Sequence, residues 1–164
     1  MDAFVIDAFA FCRLQEQAEG ELPVAGLARL ADETADRAGA IEWRLRGGIG
    51  KLGHPQMSLS ISGQVSLICQ RCLAVVPFRL SSDSVLVLAS DESAADAIEA
   101  SIDDEEADVI VGAAAFDVRH LIEDEALLAL PAAPRHDVCP GQTVSASVAV
   151  EKMSPFSVLK NLRQ

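Results

Sequence analysis

The sequence predicts an α+β protein built on an antiparallel β-sheet, open or barrel-like, with a few packed helices and a Cys/His zinc clip. Strand-like runs follow one another between residues 41 and 88, helical patterns flank them, and two widely separated pairs of metal donors occur. Half of the 164 residues are apolar, so the chain is long enough to bury a core as one domain, 1–164. No apolar run is long enough to span a bilayer.

The strands are predicted by apolar residues that alternate with polar ones. Residues 41–46 alternate with period two, and residues 57–68 place apolar side chains on one face and mostly serines on the other. Gly63 is predicted to mark a bulge or bend in the second run. Two further strands are predicted at 75–80 and 85–88. Consecutive runs of this kind predict antiparallel neighbours with one buried face.

The flanking segments predict one more strand and two helices. Residues 8–14 alternate as a strand would, which favours a packed position for Cys12 over a metal-ligating one. Pro23 suits the first position of a helix, whose apolar residues recur at helical spacing up to a capping Gly39. Asp117 is the predicted N-cap of a later helix.

The donors of the predicted metal site come in two pairs. Cys69 and Cys72 form a Cys-x-x-Cys turn, and His136 and Cys139 follow far downstream. Together they would complete a Cys₃His set for a structural zinc ion. Two other interpretations stay open: the cysteines are packed without a ligand, or the first pair is a redox dithiol whose pKa Arg71 lowers. Strand-like flanks argue against the redox interpretation, because such motifs usually begin a helix.

The formal charge of −12 predicts repulsion of phosphate backbones and attraction of a basic protein. Nine carboxylates and no Lys or Arg lie in residues 91–108. This segment is predicted to be a solvated, partly disordered loop or a contact for a basic partner. Glu123, Asp124 and Glu125 cluster in the later helix and are candidate partner-binding residues.

The basic residues of the β region could gather into one RNA-binding patch. Arg44 and Arg46 share a face of the strand at 41–46, Lys51 follows in the next turn, and Arg71 lies between the first two cysteines. Direct binding of RNA by these residues competes with the hypothesis that the acidic surface binds a basic protein.

A short terminal helix is predicted at 154–163, with Ser154 as its cap and Pro155 at its first position. Its apolar stripe consists of Phe156, Leu159 and Leu162. An isolated helix this short is marginal in water. We therefore expect it to dock on its own domain or to bind a partner.

Four blocks of the sequence resemble the YceD family. They are CQRCL at 69–73, IEDEALLALP at 122–131, the His136 and Cys139 pair after Pro134, and PFSVLKNL at 155–162. The glutamate-rich helix that runs into Leu-Pro and the Pro-Phe-x-x-Leu tail are specific to it, and the blocks keep the family's order across nearly the whole chain. Some relatives carry a fuller set of cysteines in the second half.

The resemblance implies a single YceD-like domain in a cytoplasmic bacterial protein that is needed for synthesis, processing or stability of the large (23S) ribosomal RNA. Its implied partners are the pre-50S particle, a basic ribosomal protein or 23S rRNA itself, with no membrane and no small-molecule substrate. The family's gene commonly neighbours that of a small zinc-ribbon protein of the large subunit. The resemblance supplies no catalytic residues.

The residues themselves agree with a protein that binds without catalysing a reaction. No nucleophile–base–orienter set, no glycine-rich phosphate loop after a strand and no His-Glu-x-x-His helix occurs. The first residues lack the features of a signal peptide, which fits reduced cysteines in the cytoplasm. The alternative is an enzyme, either a metal-assisted RNA hydrolase or a thiol oxidoreductase.

Overall fold

A β-sheet with helices packed on both of its faces forms the centre of the protein. The structure, a computed structural model, describes residues 4–102 and 107–141. In chain order its elements are β1 (Val5–Ile6), α1 (Ala8–Arg13), β2 (Gln17–Pro23), a 3₁₀ turn (Val24–Gly26), α2 (Ala28–Glu33), β3 (Ala40–Ile49), β4 (Pro55–Ile68), β5 (Val75–Ala89), α3 (Glu92–Glu99), β6 (Ala107–Val111), β7 (Phe116–Asp117) and α4 (Val118–Leu128). Helices α1, α2 and α4 lie on one face of the sheet and α3 lies on the other.

The main sheet has the strand order β2-β3-β4-β5-β6, and β1 pairs with β7 in a separate ribbon. Strands β2 to β5 are antiparallel neighbours, as predicted. The last pair is parallel, with Val85 opposite Ala107, because α3 carries the chain back along the sheet before β6 begins. The sheet is therefore mixed and open, and the predictions of a purely antiparallel sheet and of a barrel were wrong.

Strand β4 confirms the predicted alternation of buried apolar residues and outward serines. Its buried residues are Met57, Leu59, Ile61, Val65 and Leu67. Gly63 keeps the register on both sides, opposite Ile41 and Leu80, so the predicted bulge was wrong. A Cβ at Gly63 would lie 2.6 Å from the carbonyl oxygen of Ala40. The glycine is required by close approach of the β3 backbone.

Strand β5 is one long strand in place of the two predicted. Its last four residues are buried on alternating sides: Leu86 and Leu88 join the main core, and Val87 and Ala89 join a second, smaller one. The second core is covered by Ala95 and Ile98 of α3 and by partly buried residues of β6. An apolar run without alternation thus marks the part of the strand that is buried on both faces.

Residues 8–13 form a helix, and the predicted strand was wrong. The Asp7 carboxylate accepts a hydrogen bond from the backbone N–H of Ala10 at 2.9 Å, which caps the helix. Ala8, Phe11 and Cys12 are buried at the i, i+3 and i+4 positions. The packed position predicted for Cys12 is confirmed, and its thiol contacts the carbonyl oxygen of Gln56 at 3.1 Å.

The helix predicted after Pro23 is shorter than expected. Pro23 ends β2, a strand that was not predicted, and α2 spans only Ala28–Glu33. Gly39 has φ +100°, but it precedes β3 and does not cap a helix. Asp117 caps α4 as predicted, because its carboxylate accepts hydrogen bonds from the backbone N–H groups of Arg119 and His120. Among the described residues, no helix is long and apolar enough to cross a membrane.

Candidate metal centre

The turn between β4 and β5 forms the first half of a cluster of metal donors. The N–H of Cys69 donates to the carbonyl oxygen of Ala74, and the N–H of Leu73 donates to that of Cys69, both at 2.9 Å. Leu73 adopts φ +60°, a left-handed conformation that costs a leucine about 1 kcal/mol. We call residues 69–74 the knuckle.

The second half of the cluster comes from the segment after α4. The N–H of Gln70 donates to the carbonyl oxygen of Pro134 at 2.8 Å, and Nε2 of His136 lies 3.0 Å from the carbonyl oxygen of Val75. These two contacts hold the segment after α4 against the knuckle. As a result, all four donor atoms lie within 4.8 Å of one another: those of Cys69, Cys72, His136 and Cys139.

The spacing of the donors fits a tetrahedral metal. Zinc bonds of about 2.3 Å to sulfur and about 2.0 Å to nitrogen place two sulfurs about 3.8 Å apart and a sulfur and a nitrogen about 3.5 Å apart. The sulfurs of Cys69 and Cys139 are 3.9 Å apart, and Sγ of Cys72 lies 3.4 Å from Nδ1 of His136. The predicted cluster of these four residues is confirmed as one that could hold a metal ion.

The contact with Val75 fixes which nitrogen of His136 faces the cluster. A carbonyl oxygen can only accept a hydrogen bond, so Nε2 carries the proton in the neutral ring. Nδ1 then keeps its lone pair and points at Cys72. An outer hydrogen bond of this kind orients many metal-ligating histidines. The hydrogen bond between His136 and Val75 could not be predicted from the sequence, because its acceptor is a main-chain atom.

The two buried cysteines of the cluster differ in acidity. Burial raises the pKa of Cys69, but hydrogen bonds from the backbone N–H groups of Cys72, His136 and Arg71 outweigh burial and lower this pKa to about 5. Burial, together with the neighbouring sulfurs of Cys69 and Cys72, raises the pKa of Cys139 to about 11. The geometry thus favours one thiolate at Cys69, and a bound cation would favour ionisation of the others.

The structure removes Glu123 from the predicted partner-binding surface. This side chain is 5% exposed and accepts hydrogen bonds from the backbone N–H groups of Arg29 at 2.7 Å and Leu30 at 3.3 Å. Burial alone raises the pKa of its carboxyl, but the hydrogen bonds from Leu30 and Arg29 together lower the pKa below the ordinary value. Glu123 is therefore an internal, ionised group.

The other two carboxylates of α4 also have partners within the chain. Asp124 is exposed and forms an ion pair with the Arg29 guanidinium at 2.6 Å. Glu125 is half-buried and accepts a hydrogen bond from the hydroxyl of Ser82. Of the three carboxylates of α4, Asp124 is the one that a partner could reach most easily.

The predicted RNA-binding residues do not form one patch. Arg44 is paired with Glu19 at 2.8 Å, and Arg46 lies opposite Ser58 of β4. Lys51 follows β3 and lies at the same end of the sheet as Arg46, whereas Arg71 lies in the knuckle at the far end. The ten residues of β4 between Arg46 and the knuckle correspond to roughly 33 Å, so a combined patch was a wrong expectation.

The acidic segment is in part an ordered helix. Residues 92–99 form α3, and the Asp91 carboxylate accepts a hydrogen bond from the N–H of Ala94 at 2.9 Å, so the prediction of a loop was wrong there. Residues 103–106 lie outside the described residues. The terminal helix at 154–163, with Phe156, Leu159 and Leu162, also lies outside them.

These features define a class: an α+β protein in which a four-donor Cys/His cluster can join a β-hairpin to the segment that follows the last described helix. A family model described as "Large ribosomal RNA subunit accumulation protein YceD" matches residues 57–163. The match spans both halves of the donor cluster, and the chain belongs to the YceD family. No curated protein and no solved structure matches it.

Proposed function

We propose that this protein is a ribosome biogenesis factor that supports accumulation of the large ribosomal subunit by binding, without catalysing a reaction. Family membership links it to large-subunit ribosomal RNA. The proposal that the protein is not an enzyme rests on one observation. Four protein donor atoms lie within 4.8 Å of one another. A metal bound by four protein ligands has no open position for water or substrate, and such sites are structural.

The metal we propose is zinc, held by Cys69, Cys72, His136 and Cys139. Zinc prefers sulfur and nitrogen donors in tetrahedral geometry, and the separations of 3.9 Å and 3.4 Å suit it. When bound, it would supply a cross-link between the β4–β5 hairpin and the segment after α4. The alternative, a metal-assisted RNA hydrolase, requires a metal with an open coordination position.

The proposed partner of the acidic surface is a basic ribosomal protein in the cytoplasmic pre-50S particle. Nine carboxylates in residues 91–108 and a formal charge of −12 would attract a cationic protein and speed its encounter at low salt. Helix α3 begins this segment, with Glu92 in its first turn. The small ribosomal protein whose gene neighbours those of the family is the first partner to test.

A deletion and rescue experiment tests the cellular role. Cells that lack the gene should accumulate less 23S rRNA relative to 16S rRNA, and the unmodified gene should restore the ratio. The zinc-loaded protein should leave precursor 23S rRNA intact in vitro. Normal rRNA ratios in the deletion strain would contradict the role, and metal-dependent cleavage of the precursor would contradict the non-catalytic part.

Capture experiments test the partner. The purified protein should retain a basic ribosomal protein at low salt after the rRNA has been digested, and less of it at moderate salt. A variant with Glu92, Asp96 and Glu99 of α3 changed to Gln or Asn should retain less. Capture that disappears on digestion of rRNA would indicate that RNA is the partner and not the protein.

A further inference from the structure

Exposed apolar side chains surround the donor cluster. Leu73 is 74% exposed, Val75 53% and Val138 67%. Leu73 follows the donor Cys72, and Val138 precedes the donor Cys139. Leu73 holds φ +60°, where glycine is favoured, and yet its side chain buries little surface within the described part of the chain. Packing within the described residues does not account for a leucine in this position, so its side chain is available for contact with another molecule.

Two arginines lie beside these apolar side chains. Arg71 and Arg135 are exposed, and neither forms an ion pair with a described residue. Asp137 is the one carboxylate in the knuckle and in residues 134–140. Glu33 of α2 lines the same depression as Gln70 and Pro134, so these four charged side chains balance one another. Apart from the donor cluster, this end of the sheet is therefore much less acidic than the protein as a whole.

The described part of the acidic segment, residues 91–102 and 107–108, lies toward the opposite end of the sheet. Strand β5 begins at Val75 beside the knuckle and ends at Ala89, next to the start of the segment 91–108. Its 15 residues correspond to roughly 45 Å. Charges interact only weakly beyond the Debye length, which is about 8 Å at physiological salt. The carboxylates of this segment that the structure describes, in residues 91–99 and at Asp108, would therefore repel an anion at the knuckle very little.

We propose that the knuckle end, defined as Arg71, Leu73, Val75, Arg135 and Val138, is a contact surface for single-stranded RNA. Guanidinium groups bind phosphate oxygens and stack on the faces of unpaired bases, which a duplex keeps covered. The exposed aliphatic side chains add apolar area that such a contact would remove from water. The inference rests on the proposed function for its choice of RNA. It assigns RNA and the basic protein to opposite ends of the molecule.

Binding of a labelled RNA tests the proposal with the full-length, zinc-loaded protein. The probes are a 20-nucleotide mixed-sequence single strand and the same strand in a duplex, titrated at several salt concentrations. We expect tighter binding of the single strand. The double variant Arg71→Gln/Arg135→Gln should weaken it about tenfold and reduce the slope of log affinity against log salt by about 1.4, the value for two phosphate contacts on a single strand.

A second double variant, Arg46→Gln/Lys51→Gln, is the matched control. Like the first variant it removes two positive charges, but it does so at the opposite end of the sheet. It should change RNA affinity less than twofold. Zinc content is measured for both variants, so that loss of the metal is not mistaken for loss of a contact. Equal weakening by the two pairs, or weakening by the control alone, would overturn the proposal.

Leu73→Gly separates an RNA contact from an internal one. Glycine suits φ +60°, so the variant should unfold at the same or a higher temperature than the unmodified protein, while RNA affinity falls roughly threefold or more. A lower unfolding temperature with unchanged affinity would mean that Leu73 packs within the chain, and would overturn the proposal. If RNA binding fails while the deletion strain still loses 23S rRNA, this inference fails and the proposed function stands.

Discussion

Glu123 of α4 acts as the N-terminal cap of α2, although it lies 94 residues from Arg29 in the sequence. Its Oε1 accepts the backbone N–H groups of Arg29 and Leu30, and its Oε2 accepts the Arg29 guanidinium at 3.1 Å. Leu27, at the N-cap position of α2, offers no capping side chain. A carboxylate from a distant helix thus satisfies N–H groups that local residues cannot.

Replacement of Glu123 should destabilise the protein more than replacement of its neighbour. Glu123→Gln keeps one acceptor but turns an amide NH₂ toward the guanidinium, and we expect a loss of about 1–3 kcal/mol in the free energy of unfolding. Asp124→Asn breaks an exposed ion pair and should cost about 0.5 kcal/mol or less. Urea unfolding of both variants measures the difference. Equal losses would show that the buried hydrogen bonds contribute little.

The contribution of Glu123 should depend on pH in a defined direction. Its pKa in the folded protein lies below the ordinary value of 4.5, so the ionised form favours the folded state. This contribution is fully present above pH 4.5 and is lost as pH falls through the folded-state pKa. The stability gap between the unmodified protein and Glu123→Gln should therefore narrow in acid. A gap that widens below pH 4.5 would contradict the assignment.

Zinc content should follow the four donors and not the number of cysteines. The purified protein should hold about one zinc ion per chain, and Cys69→Ser should lose it. Cys12 is also buried but contacts the Gln56 carbonyl far from the cluster, so Cys12→Ser should keep the metal. Elemental analysis after gel filtration measures both. Metal-free protein with four titratable thiols would contradict the zinc proposal.

The imidazole of His136 should bind the metal through Nδ1, with the proton on Nε2. This follows from the 3.0 Å contact between Nε2 and the carbonyl oxygen of Val75. Long-range ¹H–¹⁵N correlation spectra of the zinc-loaded protein distinguish the two ring nitrogens. His54 and His120 lie outside the donor cluster and serve as internal references. A metal-bound Nε2 would contradict the orientation.

Adjacent glycines in β3 should respond differently to alanine. A Cβ at Gly47 would lie 2.5 Å from the carbonyl oxygen of Phe11, whereas a Cβ at Gly48 would meet nothing within 4 Å. Gly47→Ala should cost about 1–3 kcal/mol because α1 packs on this strand, and Gly48→Ala should be neutral or stabilise by about 0.5 kcal/mol. Thermal unfolding of the pair tests how closely α1 approaches the sheet.

Strong local patterns were sufficient to predict several elements. The alternation in β4 and the cap at Asp117 each depend on neighbouring residues, and both are confirmed. The segment at residues 8–13 was mistaken for a strand, because six residues show too few periods to separate a helix from a strand. The better signal was the capping Asp7.

Other features depend on contacts between distant segments. Strand β2 contains Gly20 and three glutamate or glutamine residues and has little strand propensity, and it forms because β3 offers a free edge. The parallel pairing of β6 with β5 follows from the path of α3. The separation of Arg46 from Arg71 likewise follows from the length of β4, which carries the chain from one end of the sheet to the other.

The sequence by itself determined the donors of the cluster, the family and the outward serines, because residue type and short-range spacing carry that information. The tertiary structure alone decided that Glu123 is a buried cap, that Val75 orients His136, and that α3 and the knuckle lie toward opposite ends of β5. Each of these depends on which distant main-chain and side-chain atoms meet, and no local pattern of residues specifies such a meeting.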